Sequence, residues 1–112
     1  NIRINTHNIL KQKLSMSKNT LTIVAKIIAK SAHREEVKKG LLGLITPTLE
    51  EKGCINYDLH QDHTNENIFL FYENWESRAL WLDHNASSHI AAYQKATDGY
   101  IEDFEIYEMR VI

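Results

Sequence analysis

Cysteine is almost absent from this chain: among 112 residues there is one, Cys54, so no intramolecular disulfide can form. A reducing compartment, the cytoplasm, is therefore the expectation. No cation lies beside Cys54 in the sequence to activate it, and the thiol reads as a small buried residue opening a strand rather than as a nucleophile. Long apolar runs are missing too, since no window approaches the roughly 18 residues of a membrane span. Excess positive charge is also lacking: 13 Lys and Arg stand against 15 Asp and Glu. The two signs are interspersed, which gives no electrostatic footprint for nucleic acid or an anionic membrane. Repeats, low-complexity tracts and linkers are absent, with one proline and four glycines in the whole chain. A chain of this length forms one domain with a core of its own.

What is present divides at about residue 20. Residues 1–19 are polar and aperiodic, with no apolar centre of the kind a secretory signal needs. They are expected to be a leader, carried over from cloning or from an upstream reading frame, or an arm that frays or crosses to a partner. The domain is expected over residues 20–112. Leu21–Ala29 is rich in β-branched residues and apolar at both parities, so it reads as a strand covered on both faces. Ser31 is placed to cap a helix whose first turns hold Glu35 and Glu36. Val37, Leu41, Leu44, Ile45 and Leu49 continue it as one stripe, Pro47 is expected to kink its last turns, and Lys52-Gly53 to stop it.

Cys54–Gln61 and Ile68–Trp75 read as a hairpin across the polar turn Asp62–Asn67. Ser77 caps a short helix that Asn85–Ser88 interrupts, and a second piece runs to about Thr97 before Asp98-Gly99. A last strand lies within Ile101–Val111, its charges marking an edge. The order β-α-β-β-α-β is the α+β, ferredoxin-like split βαβ arrangement: an antiparallel sheet with both helices on one face. Two helices cover only one face. The apolar residues on the other face predict a homodimer whose sheets pack together.

Three stretches then carry a likeness: Gly53 to Asp62 (GCINYDLHQD), Phe71 to Ser77 (FYENWES) and His84 to His89 (HNASSH). Together they resemble the antibiotic biosynthesis monooxygenase superfamily, whose members include small quinol monooxygenases. The likeness covers about residues 20–112 and implies a dimeric α+β barrel of ferredoxin-like protomers. It also implies a monooxygenase that oxidises a small aromatic, hydroquinone or quinol with molecular oxygen and without metal or other cofactor. Haem-degrading relatives share a Trp at the position of Trp75, but their first-strand Asn and second-helix His fall on Ala25 and Tyr93 here. A sugar-phosphate isomerase branch matches the HQD and paired-His regions, while the WES tract fits it poorly. A dimeric, non-catalytic module that binds a small hydrophobe is the reading from another class.

Cofactor-free oxygenation needs a base poised near neutral pH, donors for a developing oxyanion, and a pocket that excludes water. His84 and His89 are the base candidates, and the competing reading has them capping helix ends or tying helix to sheet. On a continuous helix they lie roughly 140° apart, so their spacing is not that of a metal clamp; a break between them brings them together. Asn74 is a candidate catalytic donor or a turn residue; Trp75 is a pocket wall with an indole donor or core. Tyr72, Tyr93 and His60 are candidate substrate contacts, against amphipathic packing for the tyrosines and a cross-strand hydrogen bond for His60. Glu73 is expected in an ion pair with Arg78 or Arg110 rather than as a general base.

Overall fold

In the computed structural model, which describes residues 20–112, β1 (Leu21–Ala29) lies inside the sheet with β3 (Ile68–Trp75) and β4 (Ile101–Met109) as neighbours. β2 (Cys54–Gln61) pairs with β3, which gives the order β2-β3-β1-β4 with every pair antiparallel. This is the ferredoxin-like arrangement expected from the element order. The residues expected to form an N-terminal leader or arm, 1–19, lie outside the described residues. Among the described residues no helix is long and apolar enough to cross a membrane.

The alternation of β1 sends Ile23, Ala25, Ile27 and Ala29 under the helices, where all four are buried. Phe69, Phe71, Glu73 and Trp75 of β3 and Tyr57 of β2 join them on that face by register. Val37, Leu41, Leu44 and Trp81 close the core from above. Burying side chains of this size contributes about 1.5–3 kcal/mol each. The opposite face carries Val24, Ile28, Leu70, Tyr72, Tyr107 and Met109, all half-buried or exposed.

Two expectations about the first helical region are corrected. Ser31 does not cap it; a 3-10 turn, Ser31–His33, comes first, and the Ser31 hydroxyl accepts from Asn67 Nδ2 at 2.8 Å. The helix then divides at Gly43-Leu44 into α1 (Arg34–Leu42) and α2 (Ile45–Leu49). Pro47 sits in the first turn of α2, where a missing N–H costs nothing, so the break falls ahead of the proline and not after it. The division resets the helical phase, which turns Leu49 outward. Gly53 ends the region as expected, with φ +87° in the left-handed region.

The hairpin turn is held by Asp62, whose Oδ2 accepts from the Asn65 and Thr64 amides at 2.7 and 3.2 Å. In β2 the register slips between Cys54 and Asn56, so Ile55 is an extra residue in a bulge and does not share the face of Tyr57 and Leu59. α3 (Arg78–Asn85) and α4 (Ser88–Ala96) are capped by Ser77 and Ser87, whose hydroxyls accept from Leu80 and Ile90 amides. β4 is an edge strand, as its charges predict.

Candidate active site

α3 stops at Asn85 and α4 restarts at Ser88, and this break decides where two histidines go. His84 is in the last turn of α3, with its carbonyl accepting the Ser87 amide at 3.0 Å. His89 is in the first turn of α4. The chain changes direction between them, so the ring centroids come within 5.9 Å. Glu51, in the turn after α2, joins them. Its Oε2 accepts from His84 Nδ1 at 2.6 Å and from His89 Nε2 at 2.9 Å. One carboxylate oxygen thus fixes the tautomer of both rings, leaving His84 Nε2 and His89 Nδ1 as the nitrogens with a lone pair.

The surroundings differ for the two rings. His84 is 3% exposed, with Trp75 at 4.8 Å and Tyr57 at 5.4 Å between ring centroids. Burial among these aromatics lowers its pKa, against the opposing pull of Glu51, and keeps the imidazole neutral. Tyr57 in turn stacks on Phe71 at 4.1 Å. His89 is half-buried and lines a groove of about 490 Å³ between α1 and α4. Leu44, Gly40, Ala92 and Tyr93 also line it. Gly40 permits a close approach there, because a Cβ on it would stand 3.1 Å from Tyr93 Cδ1.

Below the histidines, Glu73 is 3% exposed and accepts from Trp75 Nε1 at 2.9 Å. Burial, with a smaller push from Glu51, raises its carboxyl to about 7, while the indole donor opposes the rise. The expected ion pair is not made: Arg78 reaches the edge strand instead and pairs with Glu108 at 2.7 Å. Cys54 is also held as a neutral thiol, pushed up to about 12 chiefly by burial.

The candidate residues from the sequence fall into two groups. His84, His89, Trp75 and Tyr93 come together on the helix side of the sheet. Asn74, Tyr72 and His60 do not join them, because strand alternation places them on or around the other face. Asn74 is buried there, accepting from Thr22 Oγ1 at 2.5 Å and donating to Asn56 Oδ1 at 2.8 Å, a polar tie across β1, β3 and β2. His60 is exposed, and its Nδ1 meets the Asp58 carbonyl of its own strand at 3.2 Å, not a neighbouring strand. His60 and Tyr72 line a separate groove of about 540 Å³ at the β2 edge. Glu51 is the residue that sequence reasoning missed: it sits in a turn, belongs to no apolar period, and precedes a Lys-Gly stop that explains the local sequence without it.

The sequence profile of the antibiotic biosynthesis monooxygenase family matches residues 20–96, which is most of the described chain. The chain belongs to that family. An uncharacterized protein of Synechocystis is 32% identical over 76 residues, 68% of this chain, which spans about half (51%) of that relative's length. A Mycobacterium tuberculosis protein named "Putative monooxygenase" is 30% identical over 74 residues, covering 66% of this chain and 72% of its own. A crystal structure of a Pseudomonas aeruginosa protein superposes with TM-score 0.81 at 29% identity, over 87% of this chain and 97% of that one. The family's ferredoxin-like α+β fold is therefore this chain's fold.

Proposed function

We propose that the protein is a cofactor-independent monooxygenase that oxidises a small aromatic, hydroquinone or quinol with molecular oxygen. It acts as a cytoplasmic homodimer. The observation that carries this reading is the single Glu51 oxygen holding both His84 and His89. A neutral imidazole whose N–H is tied to a carboxylate is a general base, and the carboxylate stabilises the imidazolium that forms. Such a base removes the ring hydroxyl proton of a substrate in the α1/α4 groove. His89, on the groove wall, receives it at Nδ1, and His84 holds the shared carboxylate from the buried side.

The ring anion passes one electron to oxygen, and the radical pair recombines at a free ring carbon to a hydroperoxide. Loss of water then gives the oxidised ring, with one oxygen atom in the product and one in water. All four electrons come from the substrate, so the protein's task is to deprotonate, orient and keep bulk water out. Tyr93 and Leu44 supply walls against which a planar ring packs, and Trp75 and Tyr57 fix the His84 ring from below.

The homodimer forms through the open face of the sheet, where Val24, Ile28, Leu70, Tyr72, Tyr107 and Met109 offer an apolar surface that one chain's helices leave uncovered. A small-hydrophobe carrier fits less well, since His84 points into the interior and is tied to Glu51 instead of facing solvent. Oxygen uptake with a menadiol-type hydroquinone, using protein stripped of metal, tests the activity. Wild type is expected to exceed the His84→Ala, His89→Ala double variant by about 100-fold or more, the usual contribution of a positioned base. Equal rates would remove the base from the mechanism.

A further inference from the structure

We propose that Glu51, His84 and His89 also form a binding site for one divalent transition-metal ion, with Zn²⁺ as the probe. Each of the three residues offers one ligand atom, and these atoms lie within 4.8 Å of one another. Two imidazoles and a carboxylate are a donor set suited to borderline divalent cations, and the ion takes the place of the two N–H groups that face the carboxylate, each ring proton moving to its other nitrogen. Zn²⁺ holds such ligands at about 2.0–2.2 Å, which sets the ligand atoms roughly 3.3–3.5 Å apart in a tetrahedral shell. The two nitrogens already stand 2.6 and 2.9 Å from Glu51 Oε2. Withdrawing that oxygen by less than about 1 Å and turning the partly exposed His89 side chain to draw the two nitrogens together admits the ion, displacements that side-chain torsions absorb.

The electrostatics and the access agree with this geometry. Among the described residues no Lys or Arg pairs with Glu51, whose only ion-pair partners are the two histidines. Glu73 adds a buried carboxyl close enough to interact with the half-buried Glu51. His89 lines the α1/α4 groove, so an ion has a path in and a water can complete its shell, as in a site with an open position. Tyr57 and Trp75 pack beside His84 and hold its ring in place whether or not the ion is present.

Occupancy has a consequence that rests on the proposed base. An ion on His84 Nδ1 fixes the proton on Nε2, and an ion on His89 Nε2 fixes it on Nδ1. Neither ring then keeps a lone pair, so the metal-loaded chain is the resting form.

Calorimetric titration of the metal-stripped full chain with Zn²⁺ tests the site directly, without reference to oxygen uptake. The expected result is saturable binding of one ion per chain. Affinity is expected to fall by at least about tenfold in Glu51→Gln and in His89→Ala, both partly exposed positions that tolerate change, and to hold in His60→Ala on the other face. Absence of saturable binding in the wild type overturns the proposal. So does binding that both Glu51→Gln and His89→Ala leave intact. In either case the oxygen-uptake comparison of the metal-free protein still decides the base reading on its own.

Discussion

Glu73→Gln is expected to stabilise this protein at and above neutral pH and to leave it unchanged in mild acid. The carboxyl is 3% exposed, has no cation paired with it among the described residues, and is raised from 4.5 to about 7, mainly by burial. Below about 4.5 it is protonated in both the folded and unfolded chain, and its contribution to stability is fully present. Between about 4.5 and 7 the unfolded chain gives up a proton that the folded chain keeps, so stability falls as pH rises. Above about 7 the loss is complete. At about 1.4 kcal/mol per pH unit it amounts to about 3 kcal/mol, a large share of the 5–15 kcal/mol typical of a whole domain. Glutamine keeps an oxygen to accept the Trp75 indole and carries no charge, so the variant lacks the decline. Urea unfolding followed by tryptophan fluorescence, with chelator present, measures both proteins from about pH 5 to pH 8. His84, whose pKa burial lowers, works in the opposite direction: its contribution is lost as pH falls through the acid range. That slope is common to both proteins and cancels in their difference. Wild-type and variant curves that stay parallel across the range would refute the buried, unpaired carboxyl as drawn here.

Two further outcomes follow from the packing. Gly53→Ala combines a left-handed φ of +87° with a Cβ that would stand 2.4 Å from Leu80 Cδ1, so it is expected to cost at least about 1–3 kcal/mol in urea unfolding. Tyr72→Lys puts a charge on the open sheet face, and sedimentation velocity at micromolar concentration is expected to show a dimer for wild type and a monomer for the variant. A monomeric wild type would remove the face-to-face assembly.

The strands were legible because alternation is a local property: Ile23, Ala25, Ile27 and Ala29 declare a face without reference to anything distant. The Ser77 cap was legible for the same reason, since it acts within three residues, whereas Ser31, read as a cap, turns its hydroxyl to the distant Asn67. Failures came where a residue's partner is set by tertiary geometry. Arg78 follows Glu73 by five residues, yet alternation buries Glu73 under the helices while α3 carries Arg78 out to Glu108 on β4. Asn74 and Trp75 are neighbours in sequence and for that reason lie on opposite faces of the sheet. Pro47 drew attention as the helix breaker, but the resetting of the helix occurred at Gly43, and a proline in a first turn is compatible with helix. The two histidines were identifiable as a pair separated by a break. The carboxylate that unites them was not, because turns carry no periodicity to mark one residue over another.

The Glu51 junction has a bearing on how the molecule reaches its native state. Glu51 lies 33 positions before His84 and 38 before His89, with the whole β2–β3 hairpin and the entry to α3 between. Closing so long a loop is entropically costly and yields no contact until the intervening strands are already paired. The junction is thus expected to close late in folding, after the strands that separate its members in sequence have paired.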